Sequence, residues 1–254
     1  MTSLAEDLLI ALDPVELARR AGLSPDAWQE RALRSEARQQ ILNASRQSGK
    51  STVCAAKALH QALYRPGSVT LVTAPSQRQA AELLRKVRDL LSRLPDLALD
   101  VDQESVLSLG FANESRIMAL PGSEHTIRGF TADLVLIDEA ARVPDDLVAA
   151  VRPMIGVRGG QLILLSTPWG QRGAFFRAWK DGGDAWERTL VTGRDVPRFD
   201  PVWLEQERRE LPPLMFASEY EGVFCDIETQ VFATELVVGA FTSDVKPLFA
   251  GGVR

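Results

Sequence analysis

Two short segments of this chain combine residue types that bind phosphates and divalent metal ions. The first, ASRQSGKST at 44–52, contains Gly49, Lys50 and Ser51. In G-x-x-x-x-G-K-[ST] loops, backbone N–H groups surround the phosphates, the lysine neutralises them and the hydroxyl binds Mg²⁺. The second segment, LVLIDEA at 134–140, is an apolar run that ends in two adjacent acids. Together the segments predict a site that binds and hydrolyses a nucleoside triphosphate.

The phosphate-binding loop departs from this pattern at its first position, where alanine replaces glycine. Alanine tolerates a positive φ poorly, so a strict pattern search would miss the loop. The context supports it, because an apolar strand precedes the segment and a helix follows, which directs the helix N-terminus at the anion. The alternative is a chance Gly-Lys-Ser at a helix start. The residues predicted to contact the nucleotide here are Ala44, Ser45, Arg46, Gln47, Ser48, Gly49, Lys50, Ser51 and Thr52.

The acidic pair follows a strand whose carboxyl end faces the ligand crevice of a parallel sheet. We expect Asp138, together with Ser51, to hold Mg²⁺ and Glu139 to polarise the attacking water. Adjacent residues of a strand point to opposite faces, so these roles require the chain to turn at Glu139. The alternative is a strand that ends in acids without any catalytic role.

A third apolar run, QLILLSTP at 161–168, ends in Ser166 and Thr167. Small hydroxyl residues at the edge of a nucleotide crevice could sense the γ-phosphate and pass its loss to neighbouring elements. The alternative is a strand that simply stops at a Ser-Thr-Pro turn.

Hydrophobic periodicity predicts the elements that position these residues. Residues 4–20 predict one or two short helices, 24–40 a capped helix leading into a strand, and 105–109 with 115–120 a hairpin. Strands are predicted at 39–45, 68–75, 132–140, 161–168 and 186–192, and helices at 51–63, 78–94 and 145–153. This alternation is typical of an α/β fold with a mostly parallel sheet covered on both faces, here of the P-loop NTPase class.

The chain divides, on its pattern, into two regions. Residues 1–193 form the predicted core with an N-terminal helical extension, and 194–254 a small, irregular, proline-rich lid or linker. With 254 residues, 45% of them hydrophobic, the chain is long enough for one large buried core.

Composition limits the partners and the compartment. The net charge of -5 argues against tight autonomous binding to nucleic acid. Two cysteines and two histidines exclude a disulfide framework and leave little for histidine chemistry. No signal peptide or membrane-length apolar run is visible, so we expect no membrane association and a reducing, cytoplasmic location.

In these residues the chain resembles the ATPase domain of a large terminase subunit, the motor that packages DNA into tailed-phage capsids. The resemblance spans roughly residues 20–230. The arginine within RQSGKS and the IRG before the acidic pair are its most specific features. The matching segments, in order, are Pro25 with Trp28 and Gln29, SRQSGKST (45–52), VTAPSQRQA (72–80), TIRGFTADLVLIDEA (126–140), LLSTPWG (164–170) and FASEYEGVF (216–224).

The resemblance implies roles for further residues. Gln29 falls at the position of an adenine-recognising glutamine; the alternative is a surface glutamine on a helix. Arg46 and Arg128 occupy family arginine positions, and either could stabilise the charge on the transferred γ-phosphate. We favour Arg128 as a finger supplied to a neighbouring subunit and Arg46 as an arginine acting within its own subunit. Two weaker rivals are Arg142 and Arg172.

The resemblance also implies that Ser166 and Thr167 form the coupling motif. Tyr220 and Phe224, with the acid Glu221 between them, would pack a lid onto the core; plain core packing is the alternative.

The implied function is hydrolysis of ATP with Mg²⁺, coupled to the movement of double-stranded DNA into a procapsid. The implied partners are double-stranded DNA, further copies of the chain in a ring, the portal protein and the small terminase subunit, in the host cytoplasm. No nuclease activity is expected, because the chain ends where a nuclease domain would begin.

Two other functions fit the same motifs. A helicase or remodelling ATPase shares the loop and the acids but needs a second motor domain. An assembly module could bind the nucleotide without hydrolysing it, and Glu139 beside Asp138 counts against this.

Overall fold

The computed structural model describes residues 4–95, 101–121 and 129–226, together with Leu236, Gly239 and Ala240. Its centre is an eight-stranded sheet in the order β3-β4-β5-β2-β6-β7-β1-β8. The strands are β1 (Gln39–Ala44), β2 (Val69–Ala74), β3 (Val101–Ser105), β4 (Ser108–Phe111), β5 (Arg116–Pro121), β6 (Leu134–Asp138), β7 (Gln161–Ser166) and β8 (Glu187–Val191).

Helices flank this sheet and precede and follow it along the chain. They are α1 (Leu4–Leu12), α2 (Pro14–Arg20), α3 (Ala27–Arg34), α4 (Lys50–Tyr64), α5 (Gln77–Leu91), α6 (Asp145–Gly156), α7 (Gly173–Asp181), α8 (Pro201–Glu210) and α9 (Pro213–Tyr220). Within the described ranges, none of them combines the length and the apolar character that a membrane crossing requires.

Six neighbouring strands run parallel to one another: β5, β2, β6, β7, β1 and β8. Next to β5, the strands β4 and β3 extend that edge of the sheet with antiparallel pairing. Strand β7 lies between β6 and β1, with Leu165 opposite Asp138 and Ser166 opposite Asn43. The carboxyl ends of the three strands therefore meet at one edge of the sheet. This register brings together the phosphate-binding loop, the acidic pair and the Ser-Thr motif.

The core has two parts, one on each face of the sheet. Successive residues of β1 alternate between them: Leu42 belongs to the cluster with α4 and α5, and Ile41 to the cluster with α6 and α7. This alternation follows from the pleat of the strand. Buried side chains on both faces explain the continuous apolar runs of the parallel strands and confirm the predicted fold class.

Two sequence-based predictions of local structure hold only in part. The predicted hairpin is confirmed where Ser108 and Leu109 pair with β5. The run 105–109 is nevertheless not one strand, because Val106 is 75% exposed in a turn between β3 and β4. The hydroxyl oxygen of Ser105 accepts from the N–H of Leu107 at 3.3 Å, a local bond that competes with strand pairing. The region after 194 is also less irregular than predicted, since Pro201 and Pro213 begin helices, a position that suits proline. The division of the chain at 193 stays a prediction.

Candidate nucleotide-binding site

The phosphate-binding loop joins the end of β1 to the start of α4. Gly49 takes a left-handed φ of 93°, and a Cβ there would lie 2.7 Å from Nε2 of Gln29, so the loop requires glycine at this point. The other left-handed residue of the turn is Gln47, with φ 56°. Ala44 is the last residue of the extended strand β1. Alanine at the first loop position therefore meets no conformational obstacle.

Lys50 is the first residue of α4, and its buried side chain folds back onto the phosphate-binding loop. Its ammonium donates to the carbonyl oxygens of Ala44 at 2.7 Å and Ser45 at 3.0 Å. Burial lowers the pKa of Lys50, while the charges of Glu139 and Asp138 act in the opposite direction. The ammonium is thus held at the loop by carbonyl dipoles and faces the field of the two carboxylates.

Ser51 and Asp138 bring the two sequence motifs into direct contact. The Ser51 hydroxyl donates to Oδ2 of Asp138 at 2.9 Å across 87 residues of sequence, and Asp138 is 9% exposed. A hydroxyl and a carboxylate in contact are oxygen donors of the kind that Mg²⁺ prefers. The residues present therefore fit the metal that the loop pattern predicts.

Glu139 turns the chain immediately after β6. Its backbone is left-handed, with φ 50° and ψ 43°, and its N–H donates to Oδ1 of Asp138 at 2.9 Å. The turn that the sequence required at this residue is confirmed. Burial raises the pKa of Glu139, as does the charge of Asp138, whereas Lys50 and Arg142 lower it.

Arg142 and Trp169 form a stacked pair beside Glu139. The guanidinium lies 3.9 Å from the centre of the Trp169 ring, and its Nε is 3.8 Å from Oε2 of Glu139. The indole directly follows the Ser-Thr-Pro motif, in which Ser166 and Thr167 are buried. Sequence reasoning gave Trp169 no role, although its place directly after the motif was a usable signal.

Gln29 connects α3 to the phosphate-binding loop. Its amide donates to the carbonyl oxygen of Ser48 at 3.1 Å and accepts from the N–H of Asp26 at 2.9 Å. Arg198 donates to the same carbonyl at 2.8 Å and pairs with Asp26 at 2.9 Å. Sequence reasoning missed Arg198, because nothing near it in the chain signals a role.

A cavity of about 450 Å³ opens beside these residues. Its lining includes Pro25, Gln29, Gly49, Thr52 and Arg198. It combines apolar walls with a few polar groups next to the loop, as small-molecule sites commonly do. The glutamine and the proline that carry the resemblance therefore share one cavity with the loop.

Arg46 joins the loop to α9. Its Nε lies 2.8 Å from Oε2 of Glu219, and its backbone N–H donates to the carbonyl oxygen of the same residue at 3.1 Å. Glu219 is 8% exposed. It lies in the FASEYEGVF segment, but sequence reasoning gave it no role of its own.

The two aromatic residues of that segment pack in different places. Tyr220 contacts the rings of Phe199, which precedes α8, of Trp203 on α8 and of Phe216 on α9. Phe224 contacts rings of α7, namely Phe175, Phe176 and Trp179.

Two of the predicted arginines gain no support from the structure. Arg128 lies outside the described residues. Arg172 is exposed at the N-terminal cap of α7. Their roles stay predictions.

Comparison with known families adds an independent observation. A family model described as "Terminase large subunit, T4likevirus-type, N-terminal" matches residues 41–238. The chain belongs to this family. The large terminase subunit of Thermus virus P23-45 is 27% identical over 247 residues, covering 84% of this chain and 51% of that protein. The chain thus spans about half the length of this curated relative.

Solved structures of large terminases share the fold. The ATPase domain of the Thermus phage P74-26 large terminase is 26% identical, with a TM-score of 0.73 over 82% of this chain and 96% of that one. The large terminase of bacteriophage D6E in complex with ADP is 15% identical, with a TM-score of 0.64 over 79% and 54%.

Proposed function

We propose that this chain hydrolyses ATP with Mg²⁺ as the motor domain of a viral DNA-packaging machine. The 2.9 Å contact between Ser51 and Asp138 carries the proposal, because it joins the phosphate-binding loop to the acidic strand in one crevice. Membership of the large terminase family supports it. The ADP complex of the D6E terminase adds nucleotide binding in a protein of the same fold.

The residues of the crevice divide the reaction between them. Lys50 and Ser51 begin α4, and the first N–H groups of a helix have no carbonyl partner in a preceding turn, so theirs are available to the phosphates. Lys50 neutralises the β- and γ-phosphates after leaving its two carbonyl partners. Ser51 and Asp138 would hold Mg²⁺, which would supply positive charge against the phosphates. Gln29 and the cavity beside it receive the adenine.

Glu139 orients the attacking water and takes up its proton. Its pKa is raised by burial and by the charge of Asp138, which makes the carboxylate a stronger base. Because the backbone turns at Glu139, its side chain does not have to point to the opposite face of the sheet from that of Asp138. Arg46 supplies positive charge to the γ-phosphate from within the subunit, and Arg128 supplies it to a neighbouring subunit.

The proposed partners follow from the family. They are double-stranded DNA, further copies of this chain in a ring, the portal protein and the small terminase subunit, in the cytoplasm of the host. The net charge of -5 means that DNA contact is local and salt-sensitive, and is shared among the subunits of the ring.

Phosphate release at saturating ATP and Mg²⁺ tests the proposed hydrolysis. We expect Lys50→Ala and Glu139→Ala to abolish turnover, and Glu139→Ala to keep binding ATP. The matched controls Lys180→Ala and Glu205→Ala change exposed residues on α7 and α8 and should retain wild-type rates. If the wild-type chain releases no phosphate, the proposal that it hydrolyses ATP is wrong. If Glu139→Ala still hydrolyses ATP, Glu139 is not the catalytic base.

Mixing inactive variants tests the action of Arg128 between subunits. Arg128→Ala should bind ATP and fail to hydrolyse it. Mixing it with Glu139→Ala should restore activity, because each variant supplies the group that the other lacks. Absence of complementation would place the arginine within its own subunit.

A further inference from the structure

Arg198 reaches the phosphate-binding loop from the connection between β8 and α8. Its Nη2 donates to the carbonyl oxygen of Ser48 at 2.8 Å, and the amide of Gln29 donates to the same oxygen at 3.1 Å. A carbonyl oxygen has two lone pairs that accept hydrogen bonds. Both are therefore used here, and the direction of the Ser48 carbonyl is fixed by two side chains from distant parts of the sequence.

Asp26 holds these two side chains in place. Its Oδ1 accepts from Nη1 of Arg198 at 3.1 Å, and its Oδ2 lies 2.9 Å from Nη2 of the same residue. Its backbone N–H donates to Oε1 of Gln29 at 2.9 Å. A two-point contact between a guanidinium and a carboxylate fixes orientation as well as position. Asp26 therefore presents Arg198 to the Ser48 carbonyl in one orientation.

The peptide bond between Ser48 and Gly49 transmits this restraint to the nucleotide site. It is trans, and in a trans peptide the C=O and the N–H point in opposite directions. Because the oxygen of Ser48 is turned toward Gln29 and Arg198, the N–H of Gly49 is turned away from them. This N–H donates to none of the described residues. It is thus available to a phosphate oxygen at the start of α4.

Glycine at position 49 makes a second orientation of this peptide accessible. A rotation of the peptide plane changes ψ of Ser48 and φ of Gly49, and glycine takes positive and negative φ about equally readily. The rotated peptide would direct the Ser48 oxygen, with its partial negative charge, at the phosphates. The two donors on this oxygen oppose that rotation.

We infer that Arg198 is a positioning residue that holds the Ser48–Gly49 peptide with its N–H toward the phosphates before a nucleotide arrives. Gln29 contributes to the same restraint, but the bond from Arg198 is charge-assisted and therefore the stronger of the two. This role rests on the proposed function, because it requires that the loop binds phosphates. Arg198 also lines the cavity proposed for the base, so a contact with the base is the competing explanation.

A ligand without a base separates these two explanations. Arg198→Ala should weaken the binding of a non-hydrolysable ATP analogue and of inorganic tripolyphosphate by the same factor. We expect about tenfold, the effect of losing one hydrogen bond from a partly exposed charged group. Titration calorimetry on the whole 254-residue chain with Mg²⁺ measures both affinities. Arg194→Ala, an exposed arginine on the same connection, is the matched control and should change neither. A loss confined to the ATP analogue would overturn the inference.

Asp26→Asn distinguishes positioning from simple attraction between Arg198 and the phosphates. Asparagine still caps α3, but it removes the charge that holds the guanidinium. If Arg198 only attracted phosphates, this variant would bind tripolyphosphate more tightly. We expect weaker binding, similar to that of Arg198→Ala, and little further loss in the double variant, because both changes release the same carbonyl. Tighter binding, or losses that add, would contradict the positioning role.

The backbone amide signal of Gly49 in nuclear magnetic resonance spectra reports the orientation of the peptide directly. In the nucleotide-free wild type it should be a single sharp signal. In Arg198→Ala it should be broadened or doubled, because the peptide then exchanges between two orientations with Gln29 as its remaining donor. An unchanged signal would overturn the inference and leave the proposed function intact. A wild-type chain that binds neither the ATP analogue nor tripolyphosphate would refute both.

Discussion

The side-chain amide of Gln29 donates to the carbonyl oxygen of Ser48 at 3.1 Å and so attaches α3 to the phosphate-binding loop. This bond uses one N–H of the amide and leaves the other available to a base in the adjoining cavity. One residue thus both holds the loop and lines the proposed adenine site.

Replacement of Gln29 by alanine should therefore weaken nucleotide binding and reduce base selectivity together. We expect a loss of about tenfold in ATP affinity, the size of one hydrogen bond to a buried group. We also expect a smaller ratio of ATP to GTP affinity. Calorimetry with both nucleotides measures these effects, and Gln206→Ala, on the exposed side of α8, is the control. Weaker binding with an unchanged ratio would leave Gln29 with the loop-holding role alone.

Ser51→Ala should act through the metal. Loss of the hydroxyl removes one of the two oxygen groups that meet at 2.9 Å, so the Mg²⁺ concentration required for half-maximal phosphate release should rise by roughly tenfold to a hundredfold. Titration of Mg²⁺ at saturating ATP measures this shift. Ser92→Ala, an exposed serine at the end of α5, provides the control. A lowered rate with an unchanged Mg²⁺ requirement would argue against Ser51 as a ligand.

The pH dependence of turnover should report the environment of Glu139. Its pKa is raised, and the carboxylate must be deprotonated to act as a base, so kcat falls as the pH drops through this raised value. Arg142 lowers the pKa, so Arg142→Ala should move the acid limb to higher pH. Rate profiles of the wild type, Arg142→Ala and the surface control Arg152→Ala test this. An unshifted limb would mean that another group sets it.

Lys57 provides a prediction about stability. Its buried ammonium donates to the carbonyl oxygens of Ala32, Leu33 and Ser35 at the end of α3, and burial lowers its pKa from 10.5 to about 8. Between these values the unfolded chain binds more protons than the folded one. Stability therefore rises with pH across this window.

Lys57→Met removes this contribution. Urea unfolding at pH 7.5 to 10.5 should show the wild type gaining stability relative to the variant as the pH rises. Lys86→Met on α5 is the control. A constant difference between wild type and Lys57→Met would contradict the lowered pKa.

The sequence was sufficient to predict that the phosphate-binding loop and the acidic pair lie together. Ser51 and Asp138 each follow a strong local pattern, and parallel strands necessarily bring their carboxyl ends to one edge. The turn at Glu139 followed from the same reasoning, because two adjacent strand residues cannot face one crevice.

The groups that surround this centre could not be predicted in the same way. Arg198 meets Ser48 across 150 residues, and Glu219 meets Arg46 from a helix near the end of the described chain. Such contacts depend on how the last helices fold back on the sheet, which no local pattern specifies. The Arg142–Trp169 stack is of the same kind.

The position of β7 has a consequence for how variants of this site should be interpreted. Because this strand separates β1 from β6, the distance across the crevice equals two inter-strand spacings, roughly 9.6 Å. Main-chain hydrogen bonds fix that width, and side chains do not. A substitution of Lys50 or Glu139 therefore removes a side chain without changing the spacing between β1 and β6. A fall in the hydrolysis rate can then be assigned to the side chain that was removed.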